Sequence, residues 1–382
     1  MRVMIIAGEA SGDQHSARLV EAVHTLDPTV EFFGIGGECM RRAGVDIRVD
    51  SAEMAVVGLI EIWAHRKVIF GALDKMREIL KTDPPDLLFL TDYPEFNLRL
   101  AKTAKQLGIK VLFYISPQIW AWRQWRVKKI RKLVDMMAVI FPFELDFYHQ
   151  HHVPVRFVGH PLADEVHASA ERDHLCTEFG LDAQQPVVGL FPGSRQSEVK
   201  RLMPIIVETA KRLKQQNPKI QFLLPIASTL KREHFSSYLD GDTPAITMLE
   251  NRSYDIMAAC NAIITVSGTV TLEIALIGTP MVIINRISNL SYLIAKQMVK
   301  VDHIGLCNIV AGKRIVPELI QYEAKAGKIA DEIIRMLNDI DYDQSIRNEL
   351  QKVRKKLSSE GKVTNLAELT MELLNPNSAV DC

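Results

Sequence analysis

Cysteine is sparse and scattered: five residues (Cys39, Cys176, Cys260, Cys307 and Cys382), with no CxxC pair and no histidine at ligand spacing. That excludes a disulfide framework and a zinc ribbon and suits reduced thiols in a cytosolic protein. An excess of either charge is missing too, since 46 Lys and Arg balance 46 Asp and Glu. No global field draws in a polyanion, so nucleic acid is not an expected partner, and any membrane attraction must come from a local patch. Long hydrophobic runs are absent. The most apolar stretch, 262–284, is interrupted by Ser267, Gly268, Glu273, Gly278 and Pro280, which reads as strand, helix and strand instead of a membrane span. The apolar run in MRVMIIAGEASGD is too short for a signal peptide. There is no P-loop, GxGxxG, HExxH, GxSxG or kinase set. GIGG at 34–37 lacks the third glycine and spaced acid of a dinucleotide site. The Asp-x-Asp spacing in DIDYD (339–343) sits in a charged tail, where capping and solvation account for it. Neither a metal nor a cofactor is expected.

What is present is an α/β pattern. At 382 residues, 47% hydrophobic and 24% charged, the chain can bury two cores. RVMIIAG, PDLLFLTD, KVLFYIS and MMAVIFP read as strands, with weaker candidates at Glu31–Ile35 and Val155–Val158. Continuous apolar runs of this kind suit parallel strands covered on both faces. Helical periodicity follows most of them, as at Ser16–Leu26 and Phe96–Leu107. The pattern restarts with VVGLFPG, IQFLLPI, AITML, AIITVSG and PMVIINR. Two such series imply two doubly wound domains with ligands at the carboxyl ends of the strands. The polar stretch from Ala168 to Gln185 marks the boundary. The expected domains are 1–170 and 171–345, with a charged helical tail, 346–382, packing across them.

Two loops carry most of the chemistry. FPGSRQSEV (191–199) and SGTVTLEIALIGTP (267–280) each read as a strand running through a Gly-containing turn into a helix. A helix start offers unpaired N–H groups and a positive dipole end, which suit phosphate. Arg195 adds a cation beside Gly193 and Ser194. Glu273 lies one helical turn past Thr269, where a carboxylate can reach ribose hydroxyls, as Ser267 and Gly268 shape the turn. The pair suggests a nucleotide diphosphate. In the first half, AGEASGD (7–13) enters a helix with Glu9 and Asp13 as carboxylates, though an ordinary turn capped by Asp13 or Ser11 reads equally well. TDYPEFN (91–97) sets Asp92 at a strand end facing the interdomain cleft, where a carboxylate can take a proton from an attacking hydroxyl. Alternatively Asp92 or Asn97 caps the next helix. His160, in GHP, is read as a ligand contact or a structural turn.

SPQIWAWRQWRVKKIRKLVD (116–135) holds three of the four tryptophans. Taken as a helix, it places Trp120, Val127, Ile130 and Val134 on one face. Trp122, Trp125, Lys128, Lys129 and Lys132 fall opposite, an aromatic and basic stripe suited to an anionic bilayer, or simply a solvated basic face. In 54–80 the core stripe is Ile62, Ile69, Leu73, Met76 and Leu80. Val56, Val57, Leu59, Ile60, Trp63 and Phe70 are surplus to it and are candidates for acyl-chain or lipid contact.

Together AGEASGD, TDYPEFN, SPQIWAWRQWRV, FPGSRQSEV, SGTVTLE and CNIVAG, in this order from residue 3 to about 370, resemble the lipid-A-disaccharide synthase family. The resemblance implies a GT-B fold, two Rossmann-like domains facing a cleft, the first acceptor-side and membrane-facing and the second binding UDP-sugar. It implies an inverting glycosyltransferase that joins UDP-2,3-diacylglucosamine to 2,3-diacylglucosamine 1-phosphate. The product is the β-1,6 lipid A disaccharide 1-phosphate with release of UDP. It further implies a Gram-negative source and peripheral association with the cytoplasmic face of the inner membrane, and leaves a homodimer open. Asp92 and Glu9 match catalytic positions. Gly193, Ser194, Arg195, Ser267, Gly268, Thr269, Glu273 and Asn308 match UDP-sugar positions, and Ile60, Trp63, Phe70, Trp122, Trp125, Lys129 and Lys132 are the acyl or membrane candidates. Cys307 stands where the family commonly has proline, and Trp125 where it has a basic residue. The rival readings are another GT-B enzyme, such as a UDP-GlcNAc 2-epimerase or a muramyl-pathway transferase, and a catalytically silent nucleotide-sugar or membrane-surface binding protein.

Overall fold

The computed structural model describes residues 1–54, 61–239, 241–287, 302–358 and 362–375, with 61–66 and 362–364 described by backbone alone. The chain divides into two units, Met1–Pro161 with Leu357–Cys382, and Leu162–Lys356.

The first unit holds a parallel sheet of β1 (Arg2–Ala7), β2 (Glu31–Gly36), β3 (Asp46–Asp50), β4 (Leu87–Thr91), β5 (Lys110–Tyr114), β6 (Met136–Val139) and β7 (Val155–Phe157). Their order is β3-β2-β1-β4-β5-β6-β7. Val3, Met4, Ile5 and Ile6 of β1 and Leu87–Leu90 of β4 are wholly buried. Each such side chain contributes about 1.5–3 kcal/mol, which is why continuous apolar runs settle at the centre of the sheet. Around the sheet run α1 (Ala10–Leu26), α2 (Glu38–Arg42), α3 (Glu61–Thr82), α4 (Pro94–Gln106), α5 (Ile119–Trp122), α6 (Val127–Leu133) and α7 (Pro142–Gln150). Leu73, Met76 and Leu80 of the expected α3 stripe are buried.

The second unit has α8 (Leu162–Glu165), α9 (Arg172–Glu178), β8 (Val187–Phe191), α10 (Gln196–Gln216), β9 (Gln221–Ile226), α11 (Glu233–Ser236), β10 (Ile246–Glu250), α12 (Ser253–Ala259), β11 (Ala262–Val266), α13 (Val270–Ile277), β12 (Met281–Asn285) and β13 (Glu318–Ile320). The order is β10-β9-β8-β11-β12-β13, again parallel throughout. Both sheets reverse direction of growth beside their first strand, so each has a topological switch point: β1/β4 in one and β8/β11 in the other.

The division falls at 161/162, earlier than the 170/171 suggested by the polar stretch, because α8 packs on α13. The tail is shared between the units. Helix Ile340–Leu357 is stapled to the second by Arg347, which donates to Gly278 O (3.2 Å) and Asn261 O (3.3 Å). Helix Lys362–Leu374 packs on α1, with Lys110 Nζ donating to Leu373 O at 2.8 Å.

The stretch 116–135 is not one helix. Ile115 takes a left-handed backbone (φ 62°), and Arg123 leaves helical geometry between α5 and a 3-10 turn at Gln124–Arg126. Pro117, which fixes its own φ and disfavours helix before it, starts the break. The partition of side chains nevertheless follows the expected faces: Trp120, Val127, Ile130 and Val134 are buried, while Trp122, Trp125, Lys128, Lys129 and Lys132 are exposed.

Candidate active site

At the first unit's switch point, Ala7 pairs with Thr91, so the residues leaving β1 and β4 emerge side by side. Two consecutive non-glycine residues there, Asp92 and Tyr93, both have φ 45°. Left-handed backbone at such residues costs on the order of 1–3 kcal/mol each and persists only where surrounding structure enforces it. The enforcement is visible. Asp92 N–H donates to Tyr114 O at 3.0 Å, and Asn97 Nδ2 donates to Thr91 O (3.1 Å) and Asp92 O (2.6 Å). Asn97 is therefore the residue that holds this turn. The Tyr93 ring lies over Gly8, where any Cβ would come within 2.6 Å of it, so the AGE turn and the DYP turn fit each other.

The Asp92 carboxyl is half-buried, and its pKa is raised above the ordinary carboxylate value, first by burial and then by the negative charge of Glu9. The two acids follow neighbouring strands, and the more buried of them, Asp92, binds a proton more readily than an ordinary carboxylate. Glu9 is exposed and occupies the N-cap position of α1, which begins at Ala10, inside the AGEASGD motif and ahead of the expected Ser16. Asp13 does not cap α1. It accepts from Gly37 N–H (2.6 Å), Cys39 N–H (3.0 Å) and Met40 N–H (3.2 Å), capping α2 instead, and a Cβ on Gly37, the last glycine of GIGG, would stand 2.8 Å from its Oδ2. His160 is buried against the Phe141 ring, at 4.9 Å between centroids.

In the second unit, Phe191 pairs with Thr265, and the two loops that follow close on one cavity of about 370 Å³. Its walls include Gly193, Ser194, Arg195, Ser267, Gly268, Thr269 and Glu273, seven of the expected nucleotide-side residues in one place. Gly268 has φ 154° and Gly193 φ 113°. The N–H groups of Thr271, Leu272 and Glu273 are used within the first turn of α13; those of Gly268, Thr269 and Val270 meet no acceptor among the described residues and face outward as a helix start does. Ser267 Oγ accepts from Asn285 Nδ2 at 3.1 Å. The Glu273 pKa is raised by burial, an effect partly offset by Tyr254 O–H donating to Oε1 at 3.4 Å and reinforced by the charge of Glu165. Tyr254 also lines a second cavity, about 440 Å³, that shares Ser253 and Glu273 with the first.

Asn308 is not brought to that cavity. Fully buried, it donates to Val316 O (3.0 Å) and Glu318 Oε1 (2.7 Å) and accepts from the N–H groups of Ile315 and Val316. Every polar atom of its amide is engaged, so no ligand can reach it without breaking a buried bond. A second correction concerns the N–H groups after Gly193. Glu198 Oε2 already accepts from Ser194 N–H (3.0 Å) and Arg195 N–H (3.1 Å). Glu198 was missed as a site residue, although its position three residues into α10 is the spacing of a capping-box acid.

Of the lipid-side candidates, Ile60 and the Trp63 side chain lie outside the described residues. Phe70 is partly exposed under the Arg99 guanidinium (5.3 Å), and Trp122 under that of Arg123 (3.9 Å). Trp125 is 71% exposed. Lys129 and Lys132 are exposed on α6, which packs against α4, itself packed against α3. Among the described residues no helix is long and apolar enough to cross a membrane.

A family model described as lipid-A-disaccharide synthetase matches residues 3–372. The chain is 57% identical over 373 residues to the lipid-A-disaccharide synthase of Trichlorobacter lovleyi, covering 98% of this chain and 97% of that one. It is 42% identical over 372 residues to the enzyme of the same name from Coxiella burnetii (strain Dugway 5J108-111), covering 97% and 98%. Among solved structures, a UDP-GlcNAc 2-epimerase from Neisseria meningitidis bound to UDP-GlcNAc superposes with a TM-score of 0.61 at 12% identity, over 99% of this chain and 100% of that one. A glycosyltransferase from Rickettsia africae gives 0.59 at 13% identity, over 98% of each. At such identities the structural likeness carries the GT-B fold and not the reaction.

Proposed function

The chain belongs to the lipid-A-disaccharide synthetase family, and from that premise we propose how its two switch points divide the work of the reaction. It is a glycosyltransferase, a hexosyltransferase that makes the lipid A disaccharide by joining UDP-2,3-diacylglucosamine to 2,3-diacylglucosamine 1-phosphate with release of UDP. In the proposed mechanism the acceptor's 6-hydroxyl oxygen attacks the anomeric carbon of the donor from the face opposite the diphosphate. The C–O bond to the acceptor forms as the bond to the diphosphate breaks, and configuration inverts. Asp92 takes the hydroxyl proton, and UDP leaves with the bonding electron pair.

What supports Asp92 as the base is its raised pKa in a backbone held at left-handed φ, at the carboxyl end of a switch-point strand. A carboxylate of raised pKa is a stronger acceptor of a proton in flight. Glu9 is the second acid, acting on Asp92 by charge. In the second unit the cavity of about 370 Å³ is the UDP seat. There Glu273 binds ribose hydroxyls, Ser267 orders the loop, and the N–H groups at Gly268–Val270, with Arg195, take the diphosphate charge that grows as the bond breaks. Fixed cations and N–H donors of this kind supply the stabilisation that a bound cation would otherwise give.

Peripheral membrane contact completes the proposal. Phe70, Trp122 and Trp125 with Lys128, Lys129 and Lys132 are the lipid-side groups, each exposed lysine adding about 1 kcal/mol of attraction to an anionic surface. Acyl chains add about 0.8 kcal/mol per buried CH₂, so substrate affinity should rest more on chains than on head group. The decisive assay is UDP release from UDP-2,3-diacylglucosamine with and without acceptor, in detergent and EDTA. Acceptor-dependent UDP with a disaccharide in the mass spectrum is expected; UDP release without disaccharide would refute the transferase mechanism.

A further inference from the structure

A carboxylate sits where the proposed function calls for a phosphate. Glu198 Oε2 holds the N–H groups of Ser194 and Arg195, at 3.0 and 3.1 Å, and Oε1 takes the Arg195 guanidinium at 3.3 Å. The fit is close: a Cβ on Gly193 would stand 2.2 Å from Oε2, so the glycine is what lets this carboxylate enter the turn. Glu198 and Glu273 are the two acids lining that cavity. Glu273 hydrogen-bonds Tyr254, whereas Glu198 faces the donors of the phosphate turn itself.

Two backbone N–H groups and one guanidinium are the set a diphosphate oxygen seeks at a helix start. A carboxylate satisfies them with the same charge and the same acceptor geometry. The two anions cannot share the donors, and placed side by side in a partly buried site they repel. The donors at Gly268, Thr269 and Val270 carry no such internal acceptor among the described residues. Arg195 is 79% exposed, so it can trade one anionic partner for another without unpacking anything.

We infer that Glu198 is an internal competitor of the nucleotide diphosphate: it occupies the Ser194–Arg195 turn, yields it when the diphosphate binds, and takes it back as UDP departs. This rests on the reading of the cavity as the UDP seat. Glu198 thereby limits product affinity and speeds release. A permanent capping role for Glu198 on α10 makes the opposite prediction, because loss of a cap loosens the turn and weakens whatever binds to it.

The test is calorimetric titration of the full chain, wild type, Glu198→Gln and Glu198→Ala, with UDP and separately with uridine. The glutamine keeps an acceptor oxygen for the cap while removing the charge, so it carries the test if the alanine variant does not fold. Expected is UDP binding about tenfold tighter in Glu198→Gln, as a charge-assisted competitor becomes a neutral one, with uridine affinity unchanged. Wild-type binding of UDP with equal or weaker binding in the variants would overturn the competitor and leave the UDP seat standing. Failure of the wild type to bind UDP would sink the seat and this inference with it. Equal tightening of uridine would also overturn it, since uridine has no phosphate to compete.

Discussion

Replacing Asp92 by Asn tests the chemistry with little structural disturbance. The side chains are isosteric, and Asn tolerates left-handed φ at least as well as Asp, so the turn at φ 45° should survive. Asn97 binds only main-chain oxygens of the turn and is indifferent to the exchange. What disappears is the proton acceptor. A positioned general base contributes about 10²–10⁴-fold, or roughly 3–5 kcal/mol of barrier, and turnover should fall by that factor. Binding of UDP should not change, because its proposed seat is built from residues of the second unit. Stability gives a second readout. The folded-state pKa of Asp92 is raised, so the folded protein binds this proton more tightly than the unfolded chain does. The associated stability is complete below the unfolded value of 3.8 and is lost as pH rises through the folded value. Above the folded value the wild type therefore carries an ionised group that folding disfavours, and Asp92→Asn should melt higher there, with the difference shrinking as pH falls through that value toward 3.8. Acceptor-dependent UDP release and thermal melts from pH 4 to about 8 measure both. Full turnover by Asp92→Asn would refute the base, and a melting difference that grows toward acid would refute the electrostatic reasoning.

Glu144, wholly buried and accepting from Phe141 N–H at 3.1 Å, has its pKa pushed up to about 8 by burial. Unfolding free energy should thus fall between the ordinary carboxylate value and pH 8 and then level, and Glu144→Gln should flatten that slope in pH-dependent melts. Asn308→Ala removes both donors and both acceptor contacts of a buried amide and should cost about 1–3 kcal/mol, a fall of several degrees in melting temperature by calorimetry. Trp125→Ala with Lys129→Glu and Lys132→Glu should reduce sedimentation with anionic vesicles by at least tenfold while UDP affinity holds; unchanged sedimentation would remove α6 from the membrane surface.

The parts of the fold legible in the sequence were those fixed by local physics. Continuous apolar runs such as RVMIIAG and AIITVSG announced buried parallel strands, and their restart after residue 186 announced a second sheet. Two strands escaped. DIRVD at β3 alternates charged and apolar residues over only five positions, and Glu318–Ile320 is only three residues long, so both are too short to stand out; each is placed by pairing with a neighbour strand. The Trp-rich stretch misled differently. Its faces sort correctly at helical spacing, yet Pro117 and the backbone at Ile115 and Arg123 break it. For the site, strand-turn-helix loops could be read as anion-binding, and seven of the expected residues share one cavity. That Glu198 fills part of that turn could not be read, because S-R-Q-S-E serves a cap and a ligand seat with the same letters.

Asn308 shows why a motif can be needed by a site it never touches. Its amide holds Glu318 Oε1, and the two carboxylate oxygens of Glu318 then accept from the N–H groups of Ile304 and Gly305, each at 3.0 Å. The next residue, Leu306, donates its N–H to Thr271 Oγ1 at 3.1 Å, and that hydroxyl donates to Gly268 O at 2.8 Å. Gly268 is a wall of the cavity. Buried polar chains of this kind hold geometry because each broken link strands a desolvated partner. Sequence matching assigns CNIVAG to the nucleotide side, and the physical link is this relay of three side chains, Asn308, Glu318 and Thr271, and the backbone groups between them, ending at the turn at Gly268. A ligand contact and a distant brace leave the same trace in a sequence; only the geometry separates them, since the brace has every polar atom already spent.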